Sequence, residues 1–243
     1  MKYLFVGDVH NHTYIFNDVA RLDNKYNFDR IIFMGDYVDD WLTTNHQSLV
    51  TLDRLFDLKQ TNPEKYTLLI GNHELSYLGY ECSGHDSELE DVMEMKLKEN
   101  IDLLDFFTIV QCGDDEFVCT HAGITNEYIR NMLEGELKWK EVLSDINKDK
   151  LNNLYMLSMV SGARGGNEPF SSFVWADIRE HSYNNQYEPP IIKHQIMGHT
   201  PVTTCRKLDD FIFIDTHSTY RDGREYGDKS YLMWNEDKFE ILE

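Results

Sequence analysis

Short apolar runs, each stopped by a glycine or a histidine, recur along the chain. Residues 2–6 end at Gly7, 30–34 at Gly35, 66–70 at Gly71, 116–120 at His121 and 194–197 at Gly198. Runs this short, bounded by turn-forming residues, predict buried strands. Between them the apolar spacing changes to that of helices. Ile15, Val19, Leu22 and Tyr26 follow the first run, and Leu49, Leu52 and Phe56 follow the second. These predict the crossover helices that parallel strands require. A further stripe of Leu89, Val92, Met93, Leu97, Ile101 and Leu104 lies in an acidic segment, residues 81–105. Its apolar face is expected in the core, with a lid or partner surface as the alternative. Residues 207–215 and 231–242 predict strands finishing a second sheet. Residues 162–172 and 183–190 read as long loops that shape access to a site. The expected architecture is α/β: a two-sheet β-sandwich flanked by helices, in one domain spanning residues 1–243.

The residues that end the runs carry the chemistry. In order they are Gly7-Asp8-Val9-His10, Gly35-Asp36-Tyr37-Val38-Asp39, Gly71-Asn72-His73-Glu74, His121-Ala122-Gly123 and Gly198-His199-Thr200. Each places Asp, Asn or His at the carboxyl end of a strand, where open α/β sheets hold their ligands. Oxygen donors mixed with imidazoles suit Mn, Fe or Zn better than Ca or a thiolate-bound metal. One such motif alone would be read as a turn or a cap. Five in this order point to a two-metal hydrolytic centre.

The pattern resembles the calcineurin-like metallophosphoesterases, and within them the phosphoprotein-phosphatase branch with its bacterial and phage relatives. The resemblance spans residues 7 to 200. His-Ala-Gly before Ile124, and Gly-His-Thr before Pro201, are more similar to the bacterial branch that includes diadenosine tetraphosphate hydrolases. The resemblance implies a first metal held by Asp8, His10 and Asp36, with Asp36 bridging to a second completed by Asn72, His121 and His199. Two divalent ions, Mn foremost with Fe or Zn as alternatives, would sit about 3.5–4 Å apart and activate a bridging hydroxide for in-line attack. His73 would protonate the leaving oxygen, oriented by Asp39.

Two departures from the family pattern stand out. Asp39 is followed by Asp40 and Trp41, where the branch usually has the Arg-Gly whose arginine clamps the substrate phosphate. Arg164, in the glycine-rich stretch Ser161-Gly162-Ala163-Arg164-Gly165-Gly166, is a replacement of the right chemistry. Arg179, in Val174-Trp175-Ala176-Asp177-Ile178-Arg179, is a second. Asp215-Thr216-His217 stands where many bacterial relatives have Asp-Thr-Gly, and His217 is read as a polar strand-end residue. Trp41 serves either as packing or as a stacking surface for an aromatic substrate. His12, His46, His85, His181 and His194 are assigned to surface or packing roles.

Composition narrows the function. The 243 residues carry a formal charge of −20, with 41% hydrophobic and 13% aromatic content. That is globular, and it disfavours nucleic acid and anionic membranes as partners. Cys82, Cys112, Cys119 and Cys205 are scattered and read as reduced thiols. With no signal-peptide h-region and no spanning stretch, a cytoplasmic location is expected. The leading activity is phosphomonoester hydrolysis, including phosphoserine or phosphothreonine in proteins. The alternative is a dinucleotide polyphosphate or other nucleotide hydrolase. A nuclease ranks lower, because Gly198-His199-Thr200-Pro201 lacks a second histidine. A noncatalytic metal-binding protein is suggested only by Asp40. The substrate is thus a phosphorylated small molecule, nucleotide or phosphoprotein; metal identity, oligomeric state and pathway stay open.

Overall fold

A computed structural model of the chain describes residues 1–80, 89–181, 188–208 and 210–243. Cys82, His85 and part of the 183–190 loop lie outside the described residues. The elements follow in chain order: β1 (Lys2–Val6), α1 (Tyr14–Tyr26), β2 (Arg30–Phe33), α2 (Asn45–Thr61), β3 (Tyr66–Leu69), α3 (Asn72–Tyr77), α4 (Glu90–Glu99), β4 (Leu104–Asp105), β5 (Thr108–Cys112), β6 (Asp115–Cys119), α5 (Asn126–Met132), α6 (Trp139–Lys148), α7 (Lys150–Asn153), β7 (Gln195–Met197), β8 (Arg206–Leu208), β9 (Phe211–Phe213), β10 (Tyr231–Asn235) and β11 (Phe239–Leu242). They build two sheets, ordered β11-β10-β1-β2-β3-β4 and β5-β6-β7-β9-β8.

The apolar runs are continuous because their strands are buried on both faces. Tyr3, Phe5, Ile32, Met34 and Leu69 face the second sheet and pack with Val110, Phe117, Cys119, Ile196 and Ile212. The alternate residues Leu4, Val6, Ile31, Phe33 and Leu68 face outward onto helices, meeting Ile15 and Val19 of α1, Leu52 and Phe56 of α2, and Met93 and Leu97 of α4. A one-residue slip in any of these strands would exchange the two layers. α1 stops where Asn27 turns into the left-handed region, its N–H returning to Asp23 O. α2 starts at Thr44, whose N–H donates to Gln47 Oε1 at 2.9 Å, one half of a capping box.

Two expectations from the sequence are corrected. Residues 231–242 do not finish the second sheet: β10 runs antiparallel to β1, pairing Tyr3 with Trp234, and β11 follows it in the first sheet. With β2 on one side only, a doubly buried β1 needs a partner on its other edge, and β10 supplies it. The stripe from Leu89 to Leu104 is also not one buried face. α4 ends at Glu99 and a 3₁₀ turn carries Ile101. Met93, Leu97, Ile101 and Leu104 are buried, whereas Leu89 and Val92 are exposed. Among the described residues no helix is long and apolar enough to cross a membrane.

Candidate metal centre

β1, β2 and β3 are parallel, so Asp8, Asp36 and Asn72 emerge at one end of the first sheet. β6 and β7 are likewise parallel, bringing His121 and His199 out together from the second. The turns are tight: His10, Asp36, Asp39 and His199 all take positive φ, between 41° and 61°. Left-handed backbone at non-glycine residues is strained, and such strain gathers at functional loops. Two glycines permit the close approach. A Cβ on Gly71 would land on the Asp36 carboxylate, and one on Gly198 on the Asp8 carboxylate.

Asp36 is the hub. Its Oδ2 lies 3.2 Å from His121 Nε2, 3.9 Å from His10 Nε2 and 4.0 Å from His73 Nε2. His121 Nδ1 faces Met34 O at 2.8 Å, and a carbonyl can only accept, so the proton is on Nδ1. In the neutral ring Nε2 then presents a lone pair, yet it lies 3.1 Å from Asn72 Oδ1 and 3.2 Å from His199 Nδ1. The same logic holds at His10. Its Nδ1 donates to Asp39 O at 2.7 Å, leaving Nε2 directed at Asp8 Oδ2 and Asp36 Oδ2, both at 3.9 Å. Lone pairs converging without protons between them fit a cation. Two groups, His10–Asp36–His73 and Asp36–His121–His199, could each hold a metal ion, and they share Asp36.

The electrostatics point the same way. Burial, then Asp215 and Asp36, push the Asp8 carboxyl well above the usual range, against the pull of the His199 N–H at 3.0 Å. Asp36 goes the other way: burial would raise it, but His121 and His73 hold it well below. Burial, with Arg164 and His121 nearby, drives His199 well below the ordinary histidine range. Such a neutral imidazole is a competent metal ligand.

Next to this hub, His73 Nδ1 meets Asp39 Oδ2 at 3.1 Å, and Tyr77 Oη donates to Asp39 Oδ1 at 2.7 Å. Burial alone would lower the His73 pKa. Asp36 and the bonded Asp39 outweigh it and bring it up to about 9. Glu74 has no solvent exposure. It accepts the backbone N–H groups of Asp36 (3.0 Å), Tyr37 (2.7 Å), Val38 (3.3 Å) and Gly71 (2.9 Å). It therefore ties the second motif to the third. Burial and Asp36 raise its carboxyl to about 7, and these N–H bonds restrain the rise.

Arg164 lies at the His199 side. Its Nη2 donates to Thr200 Oγ1 at 2.7 Å and approaches His199 O at 3.4 Å, while its Nε is 2.9 Å from Asp177 Oδ2. Arg179 is further out: it is exposed and grips Asp177 Oδ1 through Nε at 2.7 Å. Asp177 thus carries both arginines. Asp40 takes the Thr219 hydroxyl at 2.7 Å, and Trp41 is exposed with the Arg221 guanidinium 5.9 Å from its ring centroid. His217 is buried between Tyr14, whose hydroxyl is 3.1 Å from its Nδ1, and Tyr231. Burial holds its pKa down at about 3. His181 is buried against Phe211 and Phe213. His46 is exposed, His12 is half-buried, and His194 lies between Asp115 and Asp210.

Sequence reasoning gave no role to Glu74, Tyr77, Asp177 or Asp215. Tyr77 had a signal, since it falls one helical turn after His73. Asp177, two residues before Arg179, had a weaker one. The grip of Glu74 on the second motif had none, because it joins loops distant in sequence.

A model of the calcineurin-like phosphoesterase family matches residues 1–203. The serine/threonine-protein phosphatase 6 catalytic subunit of Drosophila melanogaster is 31% identical over 147 residues, covering 58% of this chain and 47% of that protein. The chain thus spans about half the length of that relative. Among solved structures, the cold-active protein-tyrosine phosphatase of a psychrophilic Shewanella species shares the fold. Its TM-score is 0.57 at 16% identity, over 100% of this chain and 80% of that one. A further structure of a cold-active protein tyrosine phosphatase gives 0.54 at 17%, over 100% and 78%.

Proposed function

The chain belongs to the calcineurin-like phosphoesterase family, and from that premise we propose that it is a metal-dependent phosphomonoesterase whose substrates include phosphorylated serine or threonine in polypeptides. The observation that carries this reading is the position of Asp36 Oδ2, shared by two groups that could each hold a metal. The proposed donors are His10 and Asp36 on one side, with Asp8, 3.9 Å from His10 Nε2, in place of His73, which is kept as the acid, and Asp36, Asn72, His121 and His199 on the other. When bound, two divalent cations, Mn being our assignment, supply an activated water and neutralise charge on the phosphoryl oxygens. The chain's own residues do the rest. His73, held by Asp39, faces the same space through Nε2 and would protonate the leaving oxygen. Arg164, fixed by Asp177 and Thr200, presents a cation beside His199 for a phosphoryl oxygen. No serine or cysteine nucleophile is needed, so no phosphoenzyme forms.

The test is hydrolysis of p-nitrophenyl phosphate by chelator-stripped protein, with and without added Mn²⁺, beside the His73→Ala variant. Turnover that depends on the ion and collapses in the variant supports the assignment. A protein that binds two ions per chain and turns over no phosphomonoester contradicts it. A second reading, nucleotide or dinucleotide polyphosphate hydrolysis, is favoured by the exposed Trp41 with Arg221 near its ring. It predicts competition by ATP or diadenosine polyphosphates far beyond that by inorganic phosphate.

A further inference from the structure

A groove of about 680 Å³ opens beside the Gly198-His199-Thr200 turn, lined by Asp177, Arg179, Thr200, Thr204, Arg206 and Lys207 among others. One residue separates it from the metal donors: Thr200 follows His199, and its hydroxyl accepts Arg164 Nη2 on the site's side. The lining holds three cations and one carboxylate. That carboxylate, Asp177, is already engaged by Arg179 at 2.7 Å and Arg164 at 2.9 Å. Asp228, in the neighbouring loop, is bonded by the Ser230 N–H and the Thr204 side chain. Arg206 and Lys207 are exposed and have no ion pair among the described residues. In a chain with 43 acidic and 23 basic residues, two neighbouring cations with no ion pair among the described residues, on a groove beside a phosphoester site, invite an anionic occupant.

The backbone identifies which kind. Arg206 and Lys207 belong to β8, which among the described residues is the outermost strand of the second sheet and pairs only with β9. An open strand edge offers main-chain donors and acceptors to a second extended chain, a mode of peptide recognition that a mononucleotide does not use. Cations on a short edge strand discourage pairing with chains in general, and least with one whose carboxylates neutralise them. Here they select an acidic one. We propose that this groove binds an acidic segment of a phosphorylated polypeptide substrate, laid along β8 so that consecutive carboxylates meet Arg206 on one face of the strand and Lys207 on the other, while the phosphate reaches the metal centre. The inference rests on the phosphoesterase reading for its substrate, but its binding step is measurable without turnover.

The experiment is fluorescence anisotropy of Mn²⁺-loaded protein with a labelled, unphosphorylated peptide containing a run of glutamates, against the same peptide with glutamines. The glutamate peptide is expected to bind about tenfold more tightly, and the Arg206→Glu, Lys207→Glu double variant to erase that advantage. Both side chains are exposed, so the variant should keep the wild-type melting temperature, and Arg206→Ala, Lys207→Ala gives a milder second test. Equal affinity for the two peptides, or an advantage that survives charge reversal, overturns the proposal. So does binding of ATP by a protein that ignores both peptides. p-Nitrophenyl phosphate hydrolysis by the same preparation separates the two readings. Turnover without peptide discrimination defeats the groove alone. Discrimination without turnover defeats the phosphoesterase reading and leaves the acidic specificity standing.

Discussion

The role proposed for His73, that of an acid, needs its ring held, and the holding is layered. Asp39 bonds Nδ1 with one oxygen and takes the Tyr77 hydroxyl with the other, so Tyr77 fixes the group that fixes the acid. Removing the imidazole with His73→Ala should cut kcat by ~10²–10⁴-fold, the usual range for a positioned general acid, with bound metal unchanged. Tyr77→Phe removes the hydroxyl shared by Asp39 Oδ1 and Asn45 Oδ1; losing the bond to Asp39, worth about 0.5–1.5 kcal/mol, should lower kcat by only about 2- to 10-fold with KM unaffected. Steady-state kinetics beside metal analysis reads both; a Tyr77→Phe enzyme with wild-type kcat would show that Asp39 needs no second anchor. Arg164 predicts a different pattern, because its proposed partner is the substrate. Losing a charged hydrogen bond of about 1.5–3 kcal/mol, Arg164→Ala should drop kcat/KM by roughly 10- to 100-fold while metal stays bound. Unchanged kinetics would return Arg164 to a structural partner of Asp177.

At the scale of elements, the site depends on two loops from neighbouring strands being locked together, and Glu74 is the lock. Glu74→Ala would leave the N–H groups of Asp36, Tyr37, Val38 and Gly71 without their partner. Even discounted for repair by water, orphaning four buried donors should cost at least about 3 kcal/mol. For a chain of this size that lowers Tm by roughly 6–12 °C, measurable by calorimetry on metal-free protein. A shift of a degree or two would show that the loops hold without it. The sequence revealed the strands that end in Asp8, Asp36, Asn72, His121 and His199, because a run buried on both faces stands out between glycines. It could not reveal which edge residues 231–242 would join, since an apolar strand fits either sheet equally well. Nor could the spacing of Leu89, Val92 and Met93 tell which turn of α4 meets the core, because that depends on the angle at which α4 packs. Glu74 was visible as a letter of a motif, but three of its four partners lie 36–38 residues away.

The whole molecule carries −20 and still gathers Asp8, Asp36, Glu74 and Asp215 in its interior. An interior with that many carboxylates, and no lysine or arginine ion-paired to them among the described residues, is costly unless cations enter it. The acidic surface helps by raising the local concentration of divalent ions while it repels free phosphate, so the ions prepare the site for the substrate the surface disfavours. Metal should therefore be a stability ligand as well as a reagent. At a free concentration 100 times its Kd, an ion bound only by the folded state adds about 2.7 kcal/mol, or roughly 5–11 °C in Tm. Chelation should lower Tm by that order and abolish turnover, and added Mn²⁺ should restore both together. Asp36→Asn weakens the oxygen common to both groups, so its Tm should respond little to Mn²⁺. A chelated protein that keeps its Tm while losing turnover would mean that the carboxylates are already balanced by the histidines around them. In that case His121 and His73, both raised above the ordinary histidine range, would be the cations that hold the empty site together.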